Sequence, residues 1–202
     1  MNILIIGGQG TIGKKVSEHF SINHDVITGG RTTGDVKVDI RDSGSIQTMF
    51  ESTGMLDAIL CIAGDAKWDS FQSLSEEDFY IGIHSKLMGQ VNVVRMGQEF
   101  LTPGGSFTLT TGILADHPVE QTTSAAMVNG AIHSFVRAAE LELKDGQRIN
   151  AVSPGLVEDA VEKYGAYFPG HNPIPMHKVV NGYVRSVEGK GTGEIITIYD
   201  HS

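Results

Sequence analysis

The sequence is poor in cysteine, in positive charge and in long apolar runs, and each shortage excludes a class of protein. Its one cysteine, Cys61, cannot form an internal disulfide or a cysteine-rich metal site, and it fits a reducing compartment. Fifteen Lys and Arg against 24 Asp and Glu leave a formal net charge of −9, with no basic run to attract nucleic acid or an anionic membrane. No apolar stretch approaches the ~18 residues that cross a bilayer.

Two further signals are missing. The amino-terminal residues MNILIIGGQG lack the basic region and the cleavage site of a signal peptide. None of the eight histidines stands in H-x-H or H-E-x-x-H spacing, so we expect no metal. We therefore expect a cytoplasmic protein with a small-molecule partner, without nucleic-acid or membrane partners.

Glycine is the residue in excess. It makes up 25 of 202 residues, roughly 12% against an average of about 7%. Several glycines stand where an apolar run ends, which is typical of tight turns between strands and helices. The chain length suits one domain.

Apolar patterning predicts strands that alternate with helices along the whole chain. A capping box at Ser75 and Asp78 begins a long helix with a predicted apolar stripe of Ile83, Leu87, Val91 and Val94. The other predicted helices cover about 12–20, 43–51 and 123–143, and the predicted strands cover 2–6, 25–28, 35–38, 56–62, 106–110, 148–152 and 194–198. This order predicts an α/β fold, a doubly wound, mostly parallel sheet of about seven strands in a single domain. The irregular stretch 164–175 suits either a functional loop or a plain surface loop.

The segment GGQGTIG lies between the first predicted strand and the first predicted helix. Its glycines match both G-x-G-x-x-G and G-x-x-G-x-x-G, the pattern that lets a backbone turn tightly against a diphosphate at a helix start. The alternative is a tight packing turn. The residues expected to hold the dinucleotide here are Gly7, Gly8, Gly10, Thr11, Ile12 and Gly13.

The residue after the second strand selects the nucleotide. NAD sites usually carry a carboxylate there, whereas this chain has Arg31 followed by Thr32. A guanidinium grips a phosphate bidentately, so we predict NADP(H) over NAD(H); an exposed surface arginine is the alternative. The nearest carboxylate, Asp35, is assigned to the next strand.

Four short motifs together resemble the short-chain dehydrogenase/reductase family over nearly all of the chain. They are GGQGTIG, VDIRD, CIAG and VSPG, in that order. The resemblance implies a Rossmann-type sheet and a nicotinamide cofactor. The residues that it places near the cofactor are Asp39 and Ile40 at the adenine, Ala63 and Gly64 in the turn after the fourth strand, and Pro154 and Gly155 near the nicotinamide.

The catalytic positions depart from the family pattern of Ser, Tyr and Lys backed by Asn. The Ser position falls at Thr111 or Gly112, with Thr111 the expected hydroxyl, and the Tyr position falls at Ala125. The Lys position holds Asn129 and the Asn position holds Lys86, as if the two had been exchanged between helices. We expect Thr111, Lys86 and Asn129 to be catalytic, with Lys86 at the nicotinamide ribose; a snorkelling lysine at a subunit interface is the alternative.

The sequence therefore predicts an NADP(H)-dependent oxidoreductase acting on a small carbonyl or alcohol. The alternative is a non-enzymatic NADP(H)-binding redox sensor, favoured by the missing tyrosine. Lys86, Thr111, Tyr164 and Tyr167 are the candidates for the missing proton donor. A small substrate cap is expected at about 156–192, and the family resemblance implies a homodimer or homotetramer.

Overall fold

A computed structural model describes residues 1–200 of the chain. Seven strands form one sheet in the order β3-β2-β1-β4-β5-β6-β7. The strands are β1 (Asn2–Ile6), β2 (Asp25–Gly30), β3 (Val36–Lys37), β4 (Leu56–Cys61), β5 (Leu101–Thr110), β6 (Arg148–Pro154) and β7 (Ile195–Ile198). Every pair is parallel. The single-domain, doubly wound parallel sheet is confirmed.

Helices cover both faces of the sheet. They are α1 (Thr11–Phe20), α2 (Ser43–Thr53), α3 (Glu76–Gly82), α4 (Met88–Gly97), α5 (Thr123–Ala139), α6 (Val161–Tyr164) and α7 (Met176–Glu188). Within residues 1–200, no helix has both the length and the apolar character that crossing a bilayer requires.

Strand β1 shows why the amino-terminal apolar run is uninterrupted. Leu4 and Ile6 pack into the core beneath α2, α4 and α5, while Ile3 and Ile5 pack into a second core beneath α1 and α7. Successive side chains of a strand point to opposite faces, so a strand buried on both faces has no polar position to alternate with.

Strand order reverses between β1 and β4, because the chain crosses from β3 back over the sheet. In open parallel sheets, the carboxyl ends of the strands at such a reversal form a crevice in which ligands bind. The turns after β1, β2 and β4 all open at this crevice, so the predicted cofactor residues come from different parts of the chain to one edge.

Helix α7 changes the extent of the predicted cap. Val179, Tyr183 and Val187 are buried at helical spacing and pack on the sheet in the same core as α1. Residues 176–188 of the predicted 156–192 cap therefore belong to a layer of the fold. A substrate cover, confined to 156–175, stays a prediction.

The helix predicted from Ser75 is interrupted. The capping box is present, with the Ser75 Oγ accepting from the Asp78 N–H and the Asp78 carboxylate accepting from the Ser75 N–H. A π-helical turn, Ile83–Leu87, then separates α3 from α4. The wider turn rotates the following residues, so the predicted stripe holds only in part. Val94 is buried and the half-buried Leu87 packs against the core, whereas Ile83 and Val91 are only half-buried. The buried positions along this stretch are Gly82, Ser85, Gly89, Gln90, Val93, Val94 and Gly97.

Candidate functional site

Three adjoining cavities form a groove along the carboxyl ends of the strands. We call them the β2-side cavity, of about 450 Å³, the central cavity, of about 420 Å³, and the β6-side cavity, of about 300 Å³. Gly64 and Asp65 line all three, so the cavities are continuous.

The glycine turn after β1 is closely packed. Gly7 has φ +84°, and a β-carbon there would lie 2.5 Å from the Ile62 carbonyl oxygen. A β-carbon on Gly13 would overlap the Gly7 carbonyl oxygen. One on Gly8 would come within 2.9 Å of the Thr28 methyl group. These three glycines are required by packing, whatever the groove binds.

Gly10 differs from its neighbours. It lines the β2-side and central cavities, and a β-carbon there would meet only the Gly7 carbonyl oxygen, at 3.4 Å, among the described residues. Packing alone would tolerate a side chain at this position. A side chain would instead fill space in the groove, which favours a ligand lying close to the backbone.

The start of α1 has the features of an anion-binding helix N-terminus. Gly10 is the N-cap residue, and within residues 1–200 no side chain caps the helix and no acidic residue occupies its first turn. The Lys14 N–H makes the first helical bond, to the Gly10 carbonyl, so the preceding N–H groups have no partner inside the helix. Thr11 and Ile12 line the central cavity. Such a helix start favours phosphate.

Two arginines line the β2-side cavity together with Thr32, Asp39 and Ile40. Arg31 is exposed, as expected of a residue that meets a ligand from solvent. The Arg41 guanidinium binds the Asp39 carboxylate through Nε at 2.9 Å and Nη2 at 2.5 Å, and this contact lowers the pKa of Asp39 to about 2. The Asp39 carboxylate, which the family resemblance places at the adenine, thus already has a cationic partner.

Asp35 is not free to act as the carboxylate that binds the adenosine ribose in NAD sites. One of its carboxylate oxygens accepts from the Thr28 N–H at 2.8 Å and from the Thr28 hydroxyl at 2.7 Å. These bonds lower the pKa of Asp35. The nearest carboxylate after β2 is therefore bonded to β2 itself, one residue before β3 begins rather than inside that strand.

The π-helical turn presents Lys86 to the central and β6-side cavities. Gly64, with φ +130°, allows this turn to approach closely, because a β-carbon there would lie 2.7 Å from the Lys86 α-carbon. The Asp65 N–H donates to the Ser85 hydroxyl at 3.0 Å and ties the two segments together. Turns of this type occur frequently at functional sites.

Burial lowers the pKa of Lys86 from 10.5 to about 8, against the opposing effects of Cys61 and Asp65. Cys61 itself is fully buried, and burial raises the pKa of its thiol to about 12. An ammonium group whose pKa lies near neutrality can both give and take a proton under physiological conditions.

Thr111 supplies a positioned hydroxyl. It lines the central and β6-side cavities, and its Oγ1 lies 2.9 Å from the His133 Nε2, in a buried pair. Burial lowers the pKa of His133, which favours the neutral ring. The adjacent Gly112 also lines the β6-side cavity but carries no hydroxyl. Of the two positions left open by the sequence, Thr111 is the one that presents a polar group.

Asn129 lines the β6-side cavity opposite Lys86, so the two exchanged residues meet at one cavity from different helices. Asn129 is 3% exposed, and its Oδ1 has no hydrogen-bond partner within residues 1–200. Buried amide oxygens are nearly always paired, and this one points to a missing donor such as a ligand hydroxyl. Ala125 lines the same cavity, where the family pattern has Tyr.

The remaining predicted residues also line the groove. Ala63 lies in the β2-side and central cavities, and Pro154 and Gly155 lie in the β6-side cavity. Tyr164 lines the central and β6-side cavities, whereas the partly exposed Tyr167 packs edge-on against Trp68. Tyr164 is thus the better placed of the two candidate tyrosines.

Sequence reasoning missed the apolar lining of the β6-side cavity, two charged residues that line the groove, Arg41 and Asp65, and His133, which supports Thr111 from behind it. Arg41 stands in the quoted VDIRD segment and could have been found there. His133 lies one turn beyond Asn129 on α5, but its bond to Thr111 joins segments 22 residues apart. Asp65 follows the CIAG motif directly, and no pattern marked it as part of the groove.

The fold is that of the Rossmann dinucleotide-binding class. The family described as Enoyl-(Acyl carrier protein) reductase matches residues 19–178. Solved structures that resemble the chain at 25–26% identity are described as small-chain dehydrogenases. The chain therefore belongs to the short-chain dehydrogenase/reductase family of oxidoreductases, whose members bind a nicotinamide cofactor.

Two solved structures and one curated relative illustrate the similarity. The protein lin1944 from Listeria innocua is 43% identical, with TM-score 0.97 over 98% of this chain and 100% of that one. A small-chain dehydrogenase solved in complex with NADPH is 25% identical, with TM-score 0.87 over 98% and 96% of the two chains. Oxidoreductase UcpA from Salmonella typhimurium is 28% identical over 137 residues, 64% of this chain and 52% of UcpA. The chain thus spans about half the length of the curated relatives it matches.

Proposed function

We propose that this protein binds NADP(H) along the groove and acts as an oxidoreductase on a small carbonyl compound or alcohol. One observation carries the proposal. A single groove joins a helix start suited to phosphate, an exposed arginine at the end of β2, and a cluster of Lys86, Thr111 and Asn129.

The preference for NADP(H) rests on the end of β2. Arg31 and Thr32 would hold the 2′-phosphate, since a guanidinium and a hydroxyl both donate to phosphate oxygens. Asp35, the carboxylate that could have bound an unmodified ribose, is held by Thr28. The NADPH complex of the 25% identical dehydrogenase supports the same choice.

At the other end of the groove, side chains of this chain would position the substrate and supply a proton. A bound nicotinamide supplies hydride transfer. The Lys86 ammonium would bind a ribose hydroxyl and supply a proton to the substrate oxygen, and its lowered pKa makes that transfer less costly near neutral pH. The Thr111 hydroxyl, held by His133, would hydrogen-bond the same oxygen, while the Asn129 Oδ1 would accept from a ligand hydroxyl.

The cofactor proposal is tested by Arg31→Glu. Loss of a charge-assisted bidentate contact should weaken NADPH binding by about 10- to 100-fold while changing NADH binding little. Calorimetry measures both affinities. Arg95→Glu is the matched control, because Arg95 is exposed on α4 and lies away from the groove lining. Equal losses for NADPH and NADH in Arg31→Glu would refute the assignment.

A redox sensor is the second candidate, and Ala125 favours it. The alanine lies in the β6-side cavity where the family has its usual proton donor. A screen of aldehydes, ketones and alcohols, following NADPH absorbance, separates the two functions. Turnover that falls in Thr111→Val with NADPH affinity retained, and in Lys86→Met at saturating NADPH, supports the enzyme. Tight NADPH binding without turnover of any compound supports the sensor.

The homodimer or homotetramer implied by the family resemblance also stays a prediction. Sedimentation of the purified protein across a concentration series would measure the assembly directly.

A further inference from the structure

The β6-side cavity has two parts of different chemistry. The part that it shares with the central cavity contains Asp65, Lys86 and Thr111. Within residues 1–200, the remainder carries no charged side chain. Its lining is mainly Trp68, Ile113, Leu114, Ala125, Leu156 and Phe168.

The geometry points to the class of substrate, and this inference rests on the proposed function. We propose that the substrate is a small, uncharged aryl or cyclic ketone, aldehyde or corresponding alcohol. Its oxygen lies toward Thr111 and Lys86, and its hydrocarbon body lies against Trp68.

The apolar part of the β6-side cavity is formed by residues that pack against one another. Ile113, Leu114, Ala125, Leu156 and Phe168 form a buried cluster of their own, separate from the two cores beneath the helical layers. They come from the β5–α5 connection, from α5 and from the segment after β6. Apolar walls bind water poorly, so a hydrocarbon that displaces water from them gains affinity, whereas a carboxylate or a polyol loses its hydration.

Aromatic side chains pack around Trp68 in one wall of the cavity. The Trp68 indole lies 5.1 Å from the Tyr164 ring and 6.5 Å from the Phe168 ring, centroid to centroid, and Tyr167 packs edge-on at 5.4 Å. These contacts on several sides hold the indole in place. A planar or cyclic ligand packs well against such a surface.

The charged side chains of the cavity, Asp65 and Lys86, lie at one end. Lys86 and Thr111 lie where the cavity joins the central one, and Asn129 is the one amide in the otherwise apolar lining. A ligand with a single oxygen and a hydrocarbon body matches this division. A sugar or a phosphorylated compound would bury polar groups without partners.

The volume of the cavity suits a small ligand. The cavity holds about 300 Å³, at the small end of the range for ligand sites of about 300–1,000 Å³. A ring with a short side chain fits this space.

The chain offers a site-specific reporter, because Trp68 is its only tryptophan. A ¹⁵N-labelled sample therefore gives one indole N–H resonance, which comes from a residue that lines the cavity. Acetophenone, benzoylformate and dihydroxyacetone are titrated against the wild-type protein, with and without saturating NADP⁺. Acetophenone and benzoylformate share the ring and differ by a charged carboxylate.

Acetophenone should shift the resonance saturably, with a dissociation constant at least tenfold below those of the other two compounds. Equal or tighter binding of benzoylformate or dihydroxyacetone, or no saturable shift with acetophenone, would overturn the proposal. NADPH affinity is measured on the same sample. If NADPH fails to bind, the proposed function fails. The order of the three dissociation constants in nucleotide-free protein still tests whether the cavity prefers an uncharged aromatic ligand.

A variant pair locates the binding. Phe168→Ala removes a buried side chain of the apolar cluster and should raise the dissociation constant of acetophenone at least tenfold. Phe71→Ala is the matched control, because Phe71 is 66% exposed in the β4–α3 connection that also carries Trp68. Equal effects of the two substitutions would show that acetophenone binds elsewhere.

Discussion

Lys86→Met should make the protein more stable at neutral pH. Burial lowers the pKa of Lys86 from 10.5 to about 8, a difference of about 2.5 units. At about 1.4 kcal/mol per unit, the buried ammonium costs the folded state up to about 3.5 kcal/mol. This is an upper limit, since the groove leaves part of the side chain in contact with water. Methionine fills similar space without the charge.

The pH dependence of the unfolding free energy shows whether the buried ammonium causes the difference in stability. Below pH 8 both states of the chain keep the proton, so the whole cost is present. Between pH 8 and about 10.5 the unfolded chain binds more protons than the folded one, so the unfolding free energy of the wild type rises with pH. The advantage of Lys86→Met should therefore shrink over this window.

Urea unfolding of the wild type, Lys86→Met and Lys178→Met at pH 7–10 measures this difference. Lys178 is exposed on α7 and serves as control. The raised pKa of the Cys61 thiol lowers stability at high pH, but it does so in all three proteins and largely cancels in the comparison. A difference between Lys86→Met and wild type that stays constant with pH would refute the reasoning.

Three further predictions concern single contacts. Asp65→Asn should tighten NADPH binding about two- to fivefold at low salt, because a carboxylate lines all three cavities, and weaker binding by calorimetry would contradict this. Gly64→Ala should lower the unfolding free energy by about 2 kcal/mol or more, since the new carbon would lie 2.7 Å from an α-carbon of the π-helical turn. Gly104→Ala, with φ +75° and no described atom within 4 Å, should cost only about 1 kcal/mol, and equal losses in urea would exclude the steric argument. Tyr183→Phe removes a hydroxyl 2.8 Å from the Thr110 Oγ1 and should cost about 1–2 kcal/mol in thermal unfolding, with NADPH affinity unchanged.

Local patterns predicted most of the fold. The uninterrupted run of β1, the glycines after it and the capping box at Ser75 all depend on neighbours within a few residues, which the sequence shows directly. The sequence does not predict helix α7, although Val179, Tyr183 and Val187 stand at helical spacing, because the expected cap covers the whole stretch. The stripe from Ile83 holds only in part, because a regular α-helical period does not continue through a π-helical turn.

The amino-acid sequence by itself determined the alternation of strands and helices, the glycine turn, and part of the set of residues that line the groove. Tertiary structure alone decided how those residues act on one another. The bond from Thr111 to His133 and the approach of Gly64 to Lys86 each join positions 22 residues apart, and the lowered pKa of Lys86 comes from burial. Burial and contact of this kind arise only when separate elements pack, so no local pattern encodes them.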